Sequence, residues 1–290
     1  MKDKLDFIPV IILGAGRSGT NAFRDLLCSQ SGFVTWPCDE INAIWMHGNV
    51  SKATDVLTKE DLNTRTQIYI RSAFKKIWSD SDAAYVVEKT CANSLRVGFI
   101  AEVLPEAKFI HILRDGMDVV ASSRKRWRGE FELPYFSYYV KKARYVPLVD
   151  IPRYLFRYLK TRVSLLFSDD GHARRWGPWT KELHEMVNSN STIEDICAVQ
   201  WSQCVESIES EFQHLDESRH MTIRYESLVS DSRNTIEKVF TFLGASVDDA
   251  ELSESLKSLS KTSVGKGKQQ LEDENIDLSR IVKLNGALNE

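Results

Sequence analysis

Five stretches carry side chains that group-transfer chemistry would need. GAGRSGTN at 14–21 joins a glycine turn to hydroxyl and guanidinium donors, WPCDE at 36–40 ends in two adjacent carboxylates, and EKT at 88–90 offers a lysine after an apolar run. FIHILRDGMDVVASS at 109–123 sets Arg114 eight residues before Ser122, and IRYESLV at 223–229 carries Tyr225. The glycine turn has three readings. As GxGxxG with Asp39 placed 20 residues beyond Gly19, it fits a dinucleotide-binding turn. As a Walker A loop it has the spacing, but Thr20 stands where the phosphate-clamping lysine belongs, which weakens a nucleoside-triphosphate hydrolase or small-molecule kinase using Mg·ATP. The third is an anion cradle, in which backbone N–H groups of Gly16 to Asn21 and the Ser18, Thr20 and Asn21 side chains hold a phosphate beside the permanent charge of Arg17.

These residues need a frame that brings them to one edge. IPVIIL (8–13), FVT (33–35), AYVVE (84–88), KFIHIL (108–113) and MTIRY (221–225) read as strands. Helices are predicted after the glycine turn, from Lys59 to about Trp78 behind a Thr58/Asp61 capping box, at 94–104 before Pro105, at 116–127, from about Ile193 to Leu215, and at about 233–243 before Gly244. Apolar strands alternating with helices predict an α/β fold with a parallel sheet covered on both faces. Arg114 at a strand end and Ser122 two helical turns on would then meet at the sheet's carboxyl edge and suit a second, separate phosphate. Read without ligands, Arg114 would pair with Asp115 or Asp118, Lys89 with Glu88, and Asp39 and Glu40 would cap the next segment.

The chain has 290 residues, 42% hydrophobic and 27% charged, which excludes a collagenous or disordered protein. A single domain spanning 1–290 is expected, interrupted by an aromatic and basic insert at about 128–180. From Arg124 to Arg175 there are 13 Lys and Arg against five Asp and Glu, in a chain whose net charge is −3. PRYLFRYLKTRVSLLF within it predicts a helix at about 153–167 with Leu155, Phe156 and Leu159 on one face and Arg153, Arg157 and Lys160 beside them. It reads as a helical lid over an anionic acceptor, or as a peripheral membrane contact. The five cysteines form no CxxC pair and no His/Cys cluster at zinc spacing, so no metal is expected. MKDKLDF lacks the pattern of a secretory leader, and a cytoplasmic location follows as the expectation. A pI near 6.1 with no reader motif excludes nucleic acid as a partner.

Taken together, RSGT at 17–20, EKT, FIHILRDGMDVVAS and the YESLV block running to FLG (242–244) resemble the PAPS-dependent sulfotransferase family from about residue 8 to 270. The resemblance implies a P-loop-like three-layer α/β fold with a central, mostly parallel sheet. It also implies sulfuryl transfer from PAPS to a hydroxyl, with PAP as product and no metal. Gly16 to Asn21 then correspond to the 5′-phosphosulfate loop, Arg17 standing where the cytosolic branch has lysine. Arg114 and Ser122 correspond to the 3′-phosphate site, and Tyr225 to a residue that approaches the nucleotide. Lys266, in SVGKGKQQL, corresponds to a basic loop near it, with Gly267 where an aromatic is usual. Lys89 matches the lysine near the bridging oxygen. Cys91 stands where the cytosolic branch has its basic histidine; other branches use a glutamate after the first helix and second strand, and the resemblance puts that position on Glu40, with Asp39 in reserve. That is closer to the tyrosylprotein and carbohydrate branches, and Trp36 and Trp45 are expected to desolvate the carboxylate. A small molecule, glycan, lipid or peptide tyrosine remains open as acceptor; a non-catalytic nucleotide-binding module is the rival outside enzymes.

Overall fold

The computed structural model describes residues 4–128, 150, 152, 175–189, 191–257, 264–274 and 276–287. The predicted helix at about 153–167, with Arg153, Arg157 and Lys160, lies outside them.

Five strands, β1 (Ile8–Leu13), β2 (Phe33–Thr35), β3 (Tyr85–Lys89), β4 (Lys108–Leu113) and β5 (His220–Arg224), form one sheet in the order β2-β3-β1-β4-β5. Every pair is parallel, with Ile11 opposite both Glu88 and Phe109. Parallel strands are buried on both faces, which is why β1 is wholly apolar and β3 and β4 are apolar but for Glu88, Lys89, Lys108 and His111. Ile11, Leu13, Val86 and Phe109 turn to one face, against α3 (Thr64–Ser79), α4 (Val97–Val103) and the end of α7 (Ile193–Phe212). Val10, Ile12, Val87 and Ile110 turn to the other, against α1 (Thr20–Cys28) and α9 (Ser232–Leu243). Three layers result.

The remaining helices are α2 (Asn42–Trp45), α5 (Gly116–Trp127), α6 (Lys181–Asn188), α8 (Tyr225–Ser230), α10 (Asp249–Leu256), α11 (Gly267–Asp273) and α12 (Ser279–Ala287). Strands β1, β2 and β4 and helix α5 fall on the predicted residues, and Gly244 closes α9 in the left-handed conformation, φ 75°. The helix start predicted at Lys59 is corrected. The Thr58/Asp61 capping box is present, but it closes a single 3-10 turn, Lys59–Asp61; Leu62 is extended and Asn63 caps α3 anew through Thr66 N–H. Two N-cap signals five residues apart produced two starts. Tyr225, predicted as the end of a strand, opens α8. No helix among the described residues is long and apolar enough to cross a membrane.

Candidate active site

The loops after β1, β3 and β4 and the start of α8 meet at the carboxyl edge of the sheet, where open α/β sheets bind ligands. They line an open cleft of about 1330 Å³. Its floor is the glycine turn. Gly14 (φ 154°) and Gly19 (φ 88°) are left-handed, as is Arg17 (φ 75°), a strained conformation for a residue with a side chain. A Cβ on Gly19 would lie 2.2 Å from the Tyr225 ring, so only glycine fits there. Helix α1 starts without a side-chain cap, and Gly16, Gly19, Thr20 and Asn21 line the cleft. Ser18, by contrast, is buried and faces away from bulk solvent.

At one end the cations gather. Arg114, 7% exposed, lies with its guanidinium 4.5 Å over the Tyr225 ring and donates to the Arg17 carbonyl (3.0 Å). Arg17 Nε donates to Ser122 Oγ at 2.9 Å. The turn and the Arg114/Ser122 pair, expected to serve separate phosphates, are thus joined by a direct contact. Arg17 stands at the lip of the cleft, yet desolvation by its walls, then repulsion from Arg126 and Arg114, holds its pKa below the ordinary value. Asp115 caps α5, and Asp118 lies 3.4 Å from Arg114. Asp118 also accepts from Gly265 N–H (2.8 Å) and Gly267 N–H (2.7 Å), docking the loop of exposed Lys266 beside the cleft. A Cβ on Gly267 would come within 2.5 Å of the Asp118 backbone, which accounts for glycine there. Sequence reasoning treated Asp118 only as a rival partner for Arg114; the two glycines flanking Lys266 were the available signal.

At the other end the charges are compensated. Successive strand residues point to opposite faces. Glu88 therefore enters one side, bonded by Thr90 Oγ1 and Asn93 Nδ2, while Lys89 emerges on the other. Lys89, its side chain 2% exposed, meets Asp39 Oδ1 at 3.0 Å and Glu40 Oε1 at 3.2 Å, not Glu88. Burial works against its charge, but Cys91, Glu40 and Asp39 outweigh it and raise its pKa. Burial likewise works against Asp39, and Lys89 and Arg24 outweigh it, so its pKa is lowered. Glu40 also accepts from Cys91 N–H at 3.2 Å. Neither carboxylate caps α2, whose N-cap is Ile41 with no side-chain bond. Trp36 and Trp45, expected beside Glu40, pack edge-on against Phe74 in the core. Cys91, desolvated and next to Glu40, is pushed up to about 12 and holds its proton. His111 is fully buried in β4, with burial lowering its pKa to about 3, and His47 is paired with Asp150 at 2.7 Å.

The strand order decides against the dinucleotide reading of the turn. In that fold the ribose carboxylate follows the strand beside β1; here β3 lies between β1 and β2, and Asp39 is committed to Lys89 and Arg24. The description "Sulfotransferase family" matches residues 9–166 and 176–249, well over half of the sequence. The chain belongs to the sulfotransferase family. The sulfotransferase domain of the curacin biosynthetic pathway has a similar structure, with a TM-score of 0.55 at 14% identity over 99% of each chain. That of the Synechococcus PCC 7002 olefin synthase gives 0.54 at 13%, covering 100% of this chain and 97% of that one. A Mycobacterium tuberculosis H37Rv sulfotransferase gives 0.54 at 12%, covering 98% and 77%. These likenesses show a shared fold, the α/β architecture expected from the sequence. An uncharacterized protein of Aquifex aeolicus (strain VF5) is 29% identical over 40% of this chain, which spans 16% of that relative's length.

Proposed function

We propose that this sulfotransferase moves a sulfuryl group from PAPS to a hydroxyl of its acceptor, with Glu40 as base. One observation carries the reading: the same cleft holds a buried lysine between two carboxylates at one end and a grouped Arg17, Arg114 and Ser122 at the other. The donor's phosphates fit the arginine end, and the start of α1, which has no side-chain cap, offers a helix N-terminus as an anion cradle beside it.

Arg114 and Ser122, with Tyr225 beneath the guanidinium and Lys266 alongside, hold the 3′-phosphate end. Arg17, Thr20 and Asn21 hold the 5′ end. Glu40 accepts the proton of the acceptor hydroxyl as its oxygen bonds to sulfur. The bond from sulfur to the bridging phosphate oxygen breaks in line, and Lys89 and Arg17 stabilise the charge left on PAP. Glu40 already touches Lys89, so base and leaving-group cation occupy adjacent places. With Cys91 protonated where the cytosolic branch has histidine, the carboxylate supports the glutamate-base type of site. A glycan, lipid, peptide tyrosine or small molecule would serve as acceptor, in a cytoplasmic setting.

Calorimetric titration with PAP in the absence of divalent metal tests the donor. Micromolar binding that is lost in Arg114→Ala, with NAD and Mg·ATP weak, is expected. Tighter binding of NAD or Mg·ATP overturns the proposal.

A further inference from the structure

Residues 175–179 run into α6 as a strap fixed from both sides. Gln200 Nε2, from α7, donates to the carbonyls of Trp176 (2.7 Å) and Pro178 (2.8 Å). Gly177, at φ 71°, lets the chain turn between them. Asp55 N–H donates to the Trp179 carbonyl (2.8 Å), and Asp55 Oδ2 accepts from Trp179 N–H (3.0 Å) and from Arg175 (3.2 Å). The other Asp55 oxygen accepts from Asn42, whose carbonyl oxygen takes Arg96; Arg96 donates to Asn93, and Asn93 to Glu88. This buried chain of hydrogen bonds leads from the strap to the residue before Lys89. The strap and the Glu40/Lys89 pair are therefore positioned by one network.

What the strap presents is Trp176. Its ring lies so close over the glycine turn that a Cβ on Gly16 would come within 2.8 Å of it, and it lines the same cleft as Glu40 and Lys89. We infer that Trp176 is the wall that keeps water from the sulfuryl group, with Asp55 and Gln200 as its positioning residues, so that it sets transfer against hydrolysis. The inference rests on the donor assignment above. A carboxylate base beside a bound donor activates water as readily as an acceptor hydroxyl. In hydrolysis the water oxygen bonds to sulfur, the bond to the bridging phosphate oxygen breaks with its electron pair going to PAP, and Glu40 takes the proton. An aromatic ring packed on the turn occupies the volume that water would need.

The test needs no acceptor: sulfate release from ³⁵S-labelled PAPS is followed alongside PAP affinity by calorimetry. Trp176→Ala should raise release about tenfold, a barrier change of about 1.4 kcal/mol, with PAP affinity within about threefold of wild type. Trp176→Phe, which keeps a ring there, should raise it less, and Gln200→Ala, which frees the strap, should raise it as well. Gln200→Ala carries the test alone if Trp176→Ala does not fold. Unchanged or slower release in these variants with PAP affinity retained overturns the inference. Failure of the wild type to bind PAP overturns instead the donor assignment on which it rests.

Discussion

The two ends of the cleft hold their charges differently. Lys89 is buried with two carboxylates at hydrogen-bonding distance, which raise its pKa and lower that of Asp39. Arg17 and Arg114 are joined through a backbone carbonyl, and Arg17 is destabilised by burial and by its cationic neighbours. One end carries its own counterions; at the other, Asp118 meets Arg114, while Arg17 faces Arg126 and Arg114 and gains most from an anion brought from outside. A site for a bound bisphosphate and a site for proton transfer differ in this way, because the first must attract charge and the second must hold a base and a cation in register.

Breaking the compensated end should have the largest effect. Glu40→Gln removes the proposed base and Lys89→Met the proposed leaving-group cation, and each should lower sulfuryl transfer by about 10²- to 10⁴-fold. Glu40 has no proposed contact with PAP, so Glu40→Gln should change PAP affinity by less than about threefold, whereas Lys89→Met, which removes a cation beside the leaving oxygen, should weaken it as well. Sulfate release from labelled PAPS and calorimetry separate the two quantities, and loss of PAP binding in Glu40→Gln would end the division into two ends.

The carboxylate next to Lys89 sharpens the contrast from the stability side. Burial pushes Glu88 up to about 7 from 4.5, despite its bonds from Thr90 and Asn93. Its folded pKa is raised, so its contribution is fully present below about pH 4.5 and is lost as pH rises through about 7. The loss amounts to roughly 3 kcal/mol. Asp39 has the opposite sign: its folded pKa is lowered, and its contribution is present above its ordinary value and lost as pH falls. Urea unfolding across pH should show Glu88→Gln abolishing the decline between pH 4.5 and 7 while Asp39→Asn flattens the acid limb. Equal slopes in wild type and Glu88→Gln would show that Glu88 stays charged.

Much of this was legible in the chain, and what was not has a physical cause. Strands buried on both faces leave continuous apolar runs, so β1, β2 and β4 are found where predicted. That Glu40, Lys89 and Arg114 would come to one cleft was legible because the carboxyl edge of a parallel sheet fixes where residues at strand ends go. Contacts between distant segments were not. Ser122 is 105 residues from Arg17, and Gly267 is 149 from Asp118. The strap of Trp176 was hidden for a different reason. Its residues are held by carbonyl and amide contacts to Gln200 and Asp55, and backbone contacts leave no mark on residue type.

At the arginine end, Arg114→Ala removes charge-assisted hydrogen bonds worth about 1.5–3 kcal/mol, so PAP should bind about 10- to 100-fold more weakly. AMP, lacking the 3′-phosphate, is the control. If AMP affinity falls equally, Arg114 supports the turn through the Arg17 carbonyl instead of recognising the second phosphate.

Lys266 gives the smallest expected effect, and a diagnostic one. Its side chain is exposed, while the glycines on either side are held by Asp118, so Lys266→Ala removes charge and leaves the loop in place. An exposed ammonium is screened by salt and solvent, and a loss of about two- to fivefold in PAP affinity is expected at low ionic strength. The difference should vanish near 1 M salt, where the Debye length is about 3 Å. The loss in Arg114→Ala, made in a buried position, should persist there. A salt-independent loss in Lys266→Ala would place its ammonium in direct, desolvated contact with the phosphate and extend the arginine end of the cleft to the C-terminal loop.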